Sequence, residues 1–245
     1  AYQNKLLGKN IFNTDICIEL HDLIGAGAYI VGEETAMLES IEGKKGFPRY
    51  KPPFPAVKGL FGSPTIINNV ETLASIPKII SKGPDWFSSF GTKDSSGFKC
   101  FSVSGHVNNP GNFEIPLGTP FKTLLELAGG VKDGKKLKAV IPGGSSVPVV
   151  PGDIMLNTDM DYESIANAGS LLGSGAVIIM DEDTNMVEVI HRIARFYYSE
   201  SCGQCTPCRE GTGWMFKVID KILKGNGTLD DLKTLESIPN MISGS

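Results

Sequence analysis

The sequence predicts a mixed fold of three parts: an α/β part, a β-grasp unit and an α-helical bundle. Three observations carry this prediction. A strand-like pattern and a glycine turn precede a helix near the start; a hairpin, a helix and a strand follow in the middle; helical patterns flank a cysteine loop near the end. The 245 residues are enough for two or three small domains. We place the boundaries at residues 1–89, 90–182 and 183–245.

The first part contains one predicted strand and two predicted helices. Residues 15–20 alternate polar and apolar side chains, which is typical of a half-buried strand. After a glycine-bearing turn at residues 25–32, residues 33–41 predict a helix with acidic side chains in its first turn. A second helix is expected after Asn69, because asparagine is a common N-cap residue.

The middle part has the element order of a small β-grasp unit. Residues 99–107 and 113–117 predict the two strands of a hairpin, joined by a turn that contains Pro110 and Gly111. Residues 123–128 predict a helix that ends at two glycines. Strands are then predicted at residues 138–141 and 176–180.

The third part predicts a helical bundle with a metal loop at one end. Residues 185–198 carry apolar side chains at helical spacing. A long amphipathic helix follows the cysteine loop and stops near Gly225, and another helix begins near Leu229.

Composition excludes two classes of partner. The formal net charge is -4, and no basic stripe is present, so the chain is not expected to bind nucleic acid. The longest apolar runs, such as residues 176–180, are far too short to cross a bilayer, so direct membrane insertion is not expected. The three histidines are isolated from other catalytic residue types, and we assign no catalytic side chain.

The main chemical signal is the loop with Cys202, Cys205 and Cys208 at C-x-x-C-x-x-C spacing. Three closely spaced thiolates suit three irons of a [4Fe–4S] cluster whose fourth ligand is remote. Pro207 suits the first turn of a following helix, whose N-terminus favours an anionic cluster. Zinc is the alternative metal, although zinc sites more often use two separated cysteine pairs. Cys17 and Cys100 stand among apolar neighbours and are expected to be buried.

Several polar residues of the first part have both a structural and a binding interpretation. Glu33 and Glu34 could stabilise a helix start or accept hydrogen bonds from ribose or ribityl hydroxyls. Lys51 and Phe54 could meet a phosphate and stack on a ring, or be a solvated lysine and a locally packed ring.

The same ambiguity applies to the asparagines and the glycines. Asn68 and Asn69 could cap a helix or offer amides to a polar heterocycle. The glycine turn at residues 25–32 lacks the G-x-G-x-x-G spacing of dinucleotide-binding loops, so by itself it is weak support for a ligand loop.

Four segments together resemble one family. They are residues 25–38 (GAGAYIVGEETAML), 51–61 (KPPFPAVKGLF), 64–73 (PTIINNVETL) and 200–213 (ESCGQCTPCREGTG). These segments resemble the NADH-oxidising flavoprotein subunits of respiratory complex I, which are the F subunits of bacteria and the 51 kDa subunits of mitochondria. Related subunits occur in NAD-linked hydrogenases and formate dehydrogenases. The likeness runs in order over essentially the whole chain.

The resemblance implies a fold and a set of binding residues. The fold is an FMN- and NADH-binding α/β domain, an SLBB-type β-grasp domain and a helical bundle with a [4Fe–4S] cluster. The residues implied to line FMN are Tyr29, Gly32, Glu33, Asn68, Asn69 and Thr72. Those implied to face NADH are Glu34, Lys51 and Phe54, with Phe54 stacked on adenine. The cluster ligands are the three loop cysteines.

The resemblance also implies an activity and its partners. NADH would transfer hydride to FMN, and electrons would pass singly to the cluster and on to a quinone-reducing respiratory complex. The partners would be NADH and other subunits of the peripheral arm, especially a thioredoxin-like [2Fe–2S] subunit. The location would be peripheral, on the cytoplasmic side of the bacterial inner membrane or the mitochondrial matrix side.

Alternatives from other classes remain. One is the diaphorase subunit of an NAD-linked hydrogenase or formate dehydrogenase, and another is a non-catalytic binding or assembly module. A third is a structural protein held by zinc. The family's glycine-rich loop for FMN phosphate and NADH is expected before Ala1, and its fourth cluster cysteine after Ser245. The chain is therefore expected to be the middle of a longer subunit, and inactive when isolated.

Overall fold

Residues 1–243 are described by a computed structural model, in which the chain divides into two units. The first unit contains residues 1–67 and 197–213, with the described residues from Ser237 onward. The second contains residues 68–196 and 214–236. The predicted boundaries at residues 89 and 182 stay a prediction, and the last predicted part includes residues 244 and 245, which lie outside the described range.

The second unit is built on a five-stranded mixed sheet. Its strands are β1 (Phe98–Gly105), β2 (Gly111–Pro116), β3 (Leu137–Ile141), β4 (Val150–Pro151) and β5 (Ala176–Asp181). Their order in the sheet is β2-β1-β5-β3-β4. Strand β1 pairs in parallel with β5, whereas the remaining neighbours are antiparallel. The predicted hairpin, and the strands that follow it, are therefore confirmed.

Nine α-helices are found among residues 1–243. They are α1 (Glu34–Ile41), α2 (Val70–Lys82), α3 (Pro84–Ser88), α4 (Phe121–Leu127), α5 (Gly152–Met155), α6 (Tyr162–Asn167), α7 (Met186–Glu200), α8 (Thr206–Leu223) and α9 (Leu229–Ser243). All the helices that the sequence predicts are present, with ends that shift by one or two residues. None of the helices in this part of the chain is long and apolar enough to span a membrane.

The main core lies between the sheet and the helices of the second unit. Buried and exposed side chains alternate along β1, so Phe101 and Val103 point into the core while Ser102 is exposed. Phe121 and Leu124 of α4 are fully buried in the same cluster. The hydrophobic effect thus holds α4 on one face of the sheet, as expected for a β-grasp unit.

Glycines allow the C-terminal helices to approach closely. A Cβ atom at Gly211 of α8 would lie 3.0 Å from Ile242 and 3.1 Å from Ile238, both in α9. A Cβ atom at Gly213 would lie 2.8 Å from the ring of Tyr198, which belongs to α7. Small residues therefore permit these helix contacts within the first unit, and the predicted bundle is confirmed.

Two predictions for the first 100 residues are wrong. Residues 15–20 form no strand, because their pairing is limited to one isolated bridge of Ile18 with Gly8. Ile16 and Leu20 are 55% and 68% exposed, so these apolar side chains are not packed in a core within residues 1–243. Cys17 and Cys100 are exposed rather than buried. Cys100 lies on the outward face of β1, between the inward-pointing positions.

Candidate functional site

Glu33 forms the N-terminal cap of α1. Its Oε2 accepts hydrogen bonds from the Thr35 amide at 2.9 Å, the Thr35 hydroxyl at 2.6 Å and the Ala36 amide at 2.8 Å. Partial burial acts to raise the pKa of Glu33, but these hydrogen bonds and the nearby Lys51 charge lower it below its ordinary value. Glu33 is therefore a carboxylate fixed at the start of a helix, as the capping interpretation predicts.

Lys51 contacts the two acidic residues at the start of α1. Its Nζ bonds to Oε1 of Glu34 and lies 3.8 Å from Oε1 of Glu33. The hydrogen bond to Glu34 is the main cause of a raised pKa of Lys51. Each of the three side chains is 31 to 41% exposed, so the cluster is open to solvent and to a ligand.

Phe54 follows the same cluster in the chain, and its side chain is 58% exposed. An exposed ring gains free energy when another ring stacks on it. Glu33, Glu34 and Lys51 together offer an ammonium group and two carboxylates, and Phe54 offers an exposed ring three residues after Lys51. The structure brings Glu33, Glu34 and Lys51 together, a contact that the sequence alone did not predict.

Tyr29 and Gly32 lie at the two ends of a short 3₁₀ turn that precedes α1. The Tyr29 amide donates to Oε2 of Glu200 at 2.9 Å, and its ring meets Tyr197 edge-to-face at 5.8 Å. A Cβ atom at Gly32 would have no neighbour within 4 Å. The backbone there borders open space, so another group can approach it closely.

In the second unit, Asn69 caps α2. Its Oδ1 accepts a hydrogen bond from the Glu71 amide at 2.8 Å, which confirms the predicted cap. Asn68 and Thr72 are exposed. Asn69 and Thr72 line a groove of about 570 Å³, a size typical of small-molecule sites. The predicted FMN residues are thus divided equally, with three in each unit.

The cysteine loop precedes α8 and supplies three thiols. Cys202 and Cys208 are half-buried, Cys205 is exposed, and Cys208 lies in the first turn of α8. Among residues 1–243, no group of three or more His, Cys, Asp or Glu side chains is placed to hold a metal ion. The donor set suits an iron–sulfur cluster in its chemistry, because each thiolate of such a cluster binds a different iron.

Hydrogen bonds hold the backbone of this loop. The Gly203 carbonyl accepts from Nη1 of Arg209 at 2.9 Å, and Gly203 adopts a φ of 82° that favours glycine. Nε2 of Gln204 donates to the Pro48 carbonyl at 3.1 Å, and the Ser201 hydroxyl lies 3.5 Å from the Cys208 sulfur. Arg209 also forms an ion pair with Glu210, whose Oε1 lies 3.0 Å from its Nε.

Sequence reasoning missed several residues that shape these sites. Glu200 and Tyr197 contact Tyr29, and Gln204 contacts Pro48, across more than 150 positions of sequence. No local pattern could have indicated such long-range pairs. Thr35 could have been found, because a hydroxyl two residues after a capping acid is a common hydrogen-bond partner.

Comparison with known families agrees with the order of these sites. The Nuo51 FMN-binding domain matches residues 5–78, and the SLBB domain matches residues 100–150. The iron–sulfur binding region of NADH-ubiquinone oxidoreductase F matches residues 188–245. The F subunit of the NADH-quinone oxidoreductase from Rickettsia bellii is 50% identical over 246 aligned residues, which is 100% of this chain and 59% of the relative. The corresponding protein of Rickettsia felis is also 50% identical, over 58% of its length.

The chain is similar to the F subunits of NADH-quinone oxidoreductases along its whole length. It spans about three-fifths of the length of the curated F subunits that it matches. An FMN-binding domain and a [4Fe–4S] binding region are both present, which confirms the predicted cofactor classes. The roles of individual residues stay predictions.

Solved structures confirm the mixed fold class of this chain. The crystal structure of an NAD+-reducing [NiFe]-hydrogenase in the H2-reduced state matches with a TM-score of 0.83 and 39% identity. That match covers 91% of this chain and 38% of the hydrogenase chain. The air-oxidised state matches with a TM-score of 0.78 and 40% identity, over 86% of this chain and 36% of the other.

Proposed function

We propose that the chain is part of an NADH dehydrogenase flavoprotein subunit, the electron-input component of a quinone-reducing respiratory complex. The observation that carries the proposal is the cluster of Glu33, Glu34 and Lys51, beside the open backbone at Gly32, within the region matched by the FMN-binding domain. When bound, FMN supplies a hydride acceptor for NADH, and an iron–sulfur cluster supplies a one-electron acceptor.

The protein's own residues bind and orient in this proposal. Lys51 attracts a nucleotide phosphate, and Glu34 accepts hydrogen bonds from ribose hydroxyls when Lys51 turns to the phosphate. Phe54 stacks on adenine. Neither a general acid nor a general base is needed, because hydride transfer is carried by the cofactors.

Six residues are proposed to contact FMN. Tyr29, Gly32 and Glu33 supply a ring edge, an open backbone and a carboxylate. Asn68, Asn69 and Thr72 supply amides and a hydroxyl. The proposed ligands of the iron–sulfur cluster are Cys202, Cys205 and Cys208. The proposed domains are residues 1–89, 90–182 and 183–245.

The proposed partners follow from the same family. They are other subunits of the peripheral arm, and among them a thioredoxin-like [2Fe–2S] subunit that receives the electrons. The proposed location is peripheral, on the cytoplasmic side of the bacterial inner membrane or the mitochondrial matrix side. A non-catalytic assembly role is the alternative if the protein binds partners but oxidises no NADH.

Substitution of Lys51 tests the nucleotide site. In the protein expressed from its complete gene, Lys51→Gln should raise KM for NADH about tenfold in an NADH–ferricyanide assay, because one phosphate contact is lost. Lys58→Gln is the matched control, since Lys58 is an exposed lysine of the same loop region. An unchanged KM in Lys51→Gln, with FMN bound, would reject the assignment.

Metal content tests the cysteine loop. After anaerobic reconstitution with iron and sulfide, Cys205→Ser should lose the reducible EPR signal of the wild type, because one ligand is removed. Cys17→Ser is the control, since Cys17 is an exposed cysteine outside the loop. A colourless wild-type protein with stoichiometric zinc would show a structural zinc site instead.

The second candidate is the diaphorase subunit of an NAD-linked hydrogenase. The structural match to an NAD+-reducing [NiFe]-hydrogenase favours it, although the curated relatives at 50% identity are quinone-linked. Co-purification decides between the two: a nickel-containing partner supports the hydrogenase, and a quinone-reducing complex supports the first proposal.

A further inference from the structure

An ion pair ties the first turn of α2 to strand β1. Nζ of Lys99 lies 2.7 Å from Oε2 of Glu71, and Oε1 of Glu71 accepts the Cys100 amide at 3.0 Å. The Lys99 side chain is only 7% exposed. A buried amine needs a hydrogen-bond partner, and Glu71 supplies it for Lys99.

Helix α2 has few other attachments to the sheet. None of its side chains is buried, and its apolar residues Val70 and Ile80 are 80% and 79% exposed. Among residues 1–243, the bonds of Glu71 are the described polar links between α2 and β1. Helical propensity alone does not fix the position of such a short helix, so this pair has a large share in holding its first turn.

The same residue also holds the helix cap. The Glu71 backbone amide donates to Oδ1 of Asn69 at 2.8 Å, while the Glu71 side chain bonds to Lys99 and Cys100. Thr72 is the next residue of the helix, and it lines the same groove as Asn69, Glu71 and Lys99. A continuous chain of bonds therefore runs from β1 to the side chain of Asn69.

We propose that Glu71 and Lys99 are positioning residues. Their ion pair holds the first turn of α2 against β1, and this positions Asn69 and Thr72 for flavin binding. The inference rests on the proposed function, because it takes Asn69 and Thr72 as FMN contacts. Burial acts to raise the pKa of Glu71, but the hydrogen bonds from Lys99 and the Cys100 amide lower it below its ordinary value. Glu71 is thus ionised when the pair positions the helix.

Two variants separate positioning from simple stability. Lys99→Met replaces the buried ammonium with an apolar side chain of similar length, so the sheet keeps its packing while α2 loses its attachment. Lys99→Arg keeps the charge and should restore the attachment. Lys78→Met is the control, because Lys78 is an exposed lysine on the same helix.

The test uses the protein expressed from its complete gene and two measurements. The Kd for FMN, measured by quenching of flavin fluorescence, should rise about tenfold in Lys99→Met, and Lys99→Arg should recover most of the loss. Hydrogen exchange of the α2 amides without FMN should become faster in Lys99→Met only. Lys78→Met should match the wild type in both.

The outcomes are distinguishable. Faster exchange with an unchanged Kd would overturn the inference, because the pair would then only stabilise the helix. Unchanged exchange would overturn it too, since α2 would not depend on the pair. If the wild type does not bind FMN, the proposed function itself is rejected. If the wild type and Lys99→Met bind FMN equally well, only the positioning role is rejected.

Discussion

At the residue scale, charges that look ordinary in the sequence acquire defined partners in the fold. One carboxylate oxygen of Glu33 caps α1, and the other faces Lys51. The capping role was predictable from the position of an acid before a helix. The contact of Lys51 with two acids was not, because it depends on how a loop of irregular backbone returns to the helix start.

Glu42 provides a pH-dependent test at this scale. Its carboxylate accepts hydrogen bonds from Lys44, Arg49 and the Phe61 amide, and they lower its pKa from 4.5 to about 2. Because the folded pKa is depressed, the contribution of Glu42 to stability is present above pH 4.5 and is lost as pH falls through about 2.

The measurement is a carboxyl-carbon NMR titration. Glu42 should titrate with a midpoint of about 2, and Arg49→Gln should move that midpoint upward because one donor is removed. Lys58→Gln, which changes a neighbouring lysine outside these bonds, should leave it in place. A wild-type midpoint near 4.5 would show that the described hydrogen bonds do not persist in solution.

At the scale of elements, local patterns predict the second unit well and the first unit less well. Strand β1 alternates because the sheet buries one of its faces against α4, so the pattern and the fold agree. Residues 15–20 show a similar alternation without a paired strand. An alternating pattern indicates which side chains favour burial. A strand forms only if its backbone also pairs with a neighbouring strand.

Gly105 tests how β1 ends. Its φ is +87°, and a Cβ atom there would lie 2.3 Å from the Ile179 carbonyl of β5. Gly105→Ala should therefore destabilise the protein through both backbone strain and a clash with backbone atoms. Gly130 has a φ of +77° and no neighbour within 4 Å of such a Cβ atom, so Gly130→Ala carries the strain alone.

Thermal or denaturant unfolding separates the two effects. Gly130→Ala is expected to cost about 1 kcal/mol of unfolding free energy, and Gly105→Ala to cost at least about 2 kcal/mol more. Equal losses in the two variants would show that the β1 and β5 backbones are farther apart at this point than the structure indicates.

At the scale of the whole molecule, short sequence motifs indicated more about function than the predicted fold did. The cysteine spacing indicated a cluster, because its chemistry is local and can be recognised in a sequence. For the segments around Lys51 and Asn69, it was the resemblance to a known family that implied a nucleotide and a flavin. The makeup of the first unit was not predictable, because contacts such as Gln204 with Pro48 join parts of the chain that are far apart in sequence.

All the proposed roles depend on this chain carrying the electron-input site of an NADH dehydrogenase. The decisive experiment is anaerobic addition of NADH to the protein expressed from its complete gene and loaded with FMN, iron and sulfide. We expect NADH to bleach the flavin absorbance and to produce the EPR signal of a reduced [4Fe–4S] cluster, and we expect Cys205→Ser to retain the bleaching but lose the signal. A loaded wild-type protein whose flavin stays oxidised with excess NADH would refute the proposal.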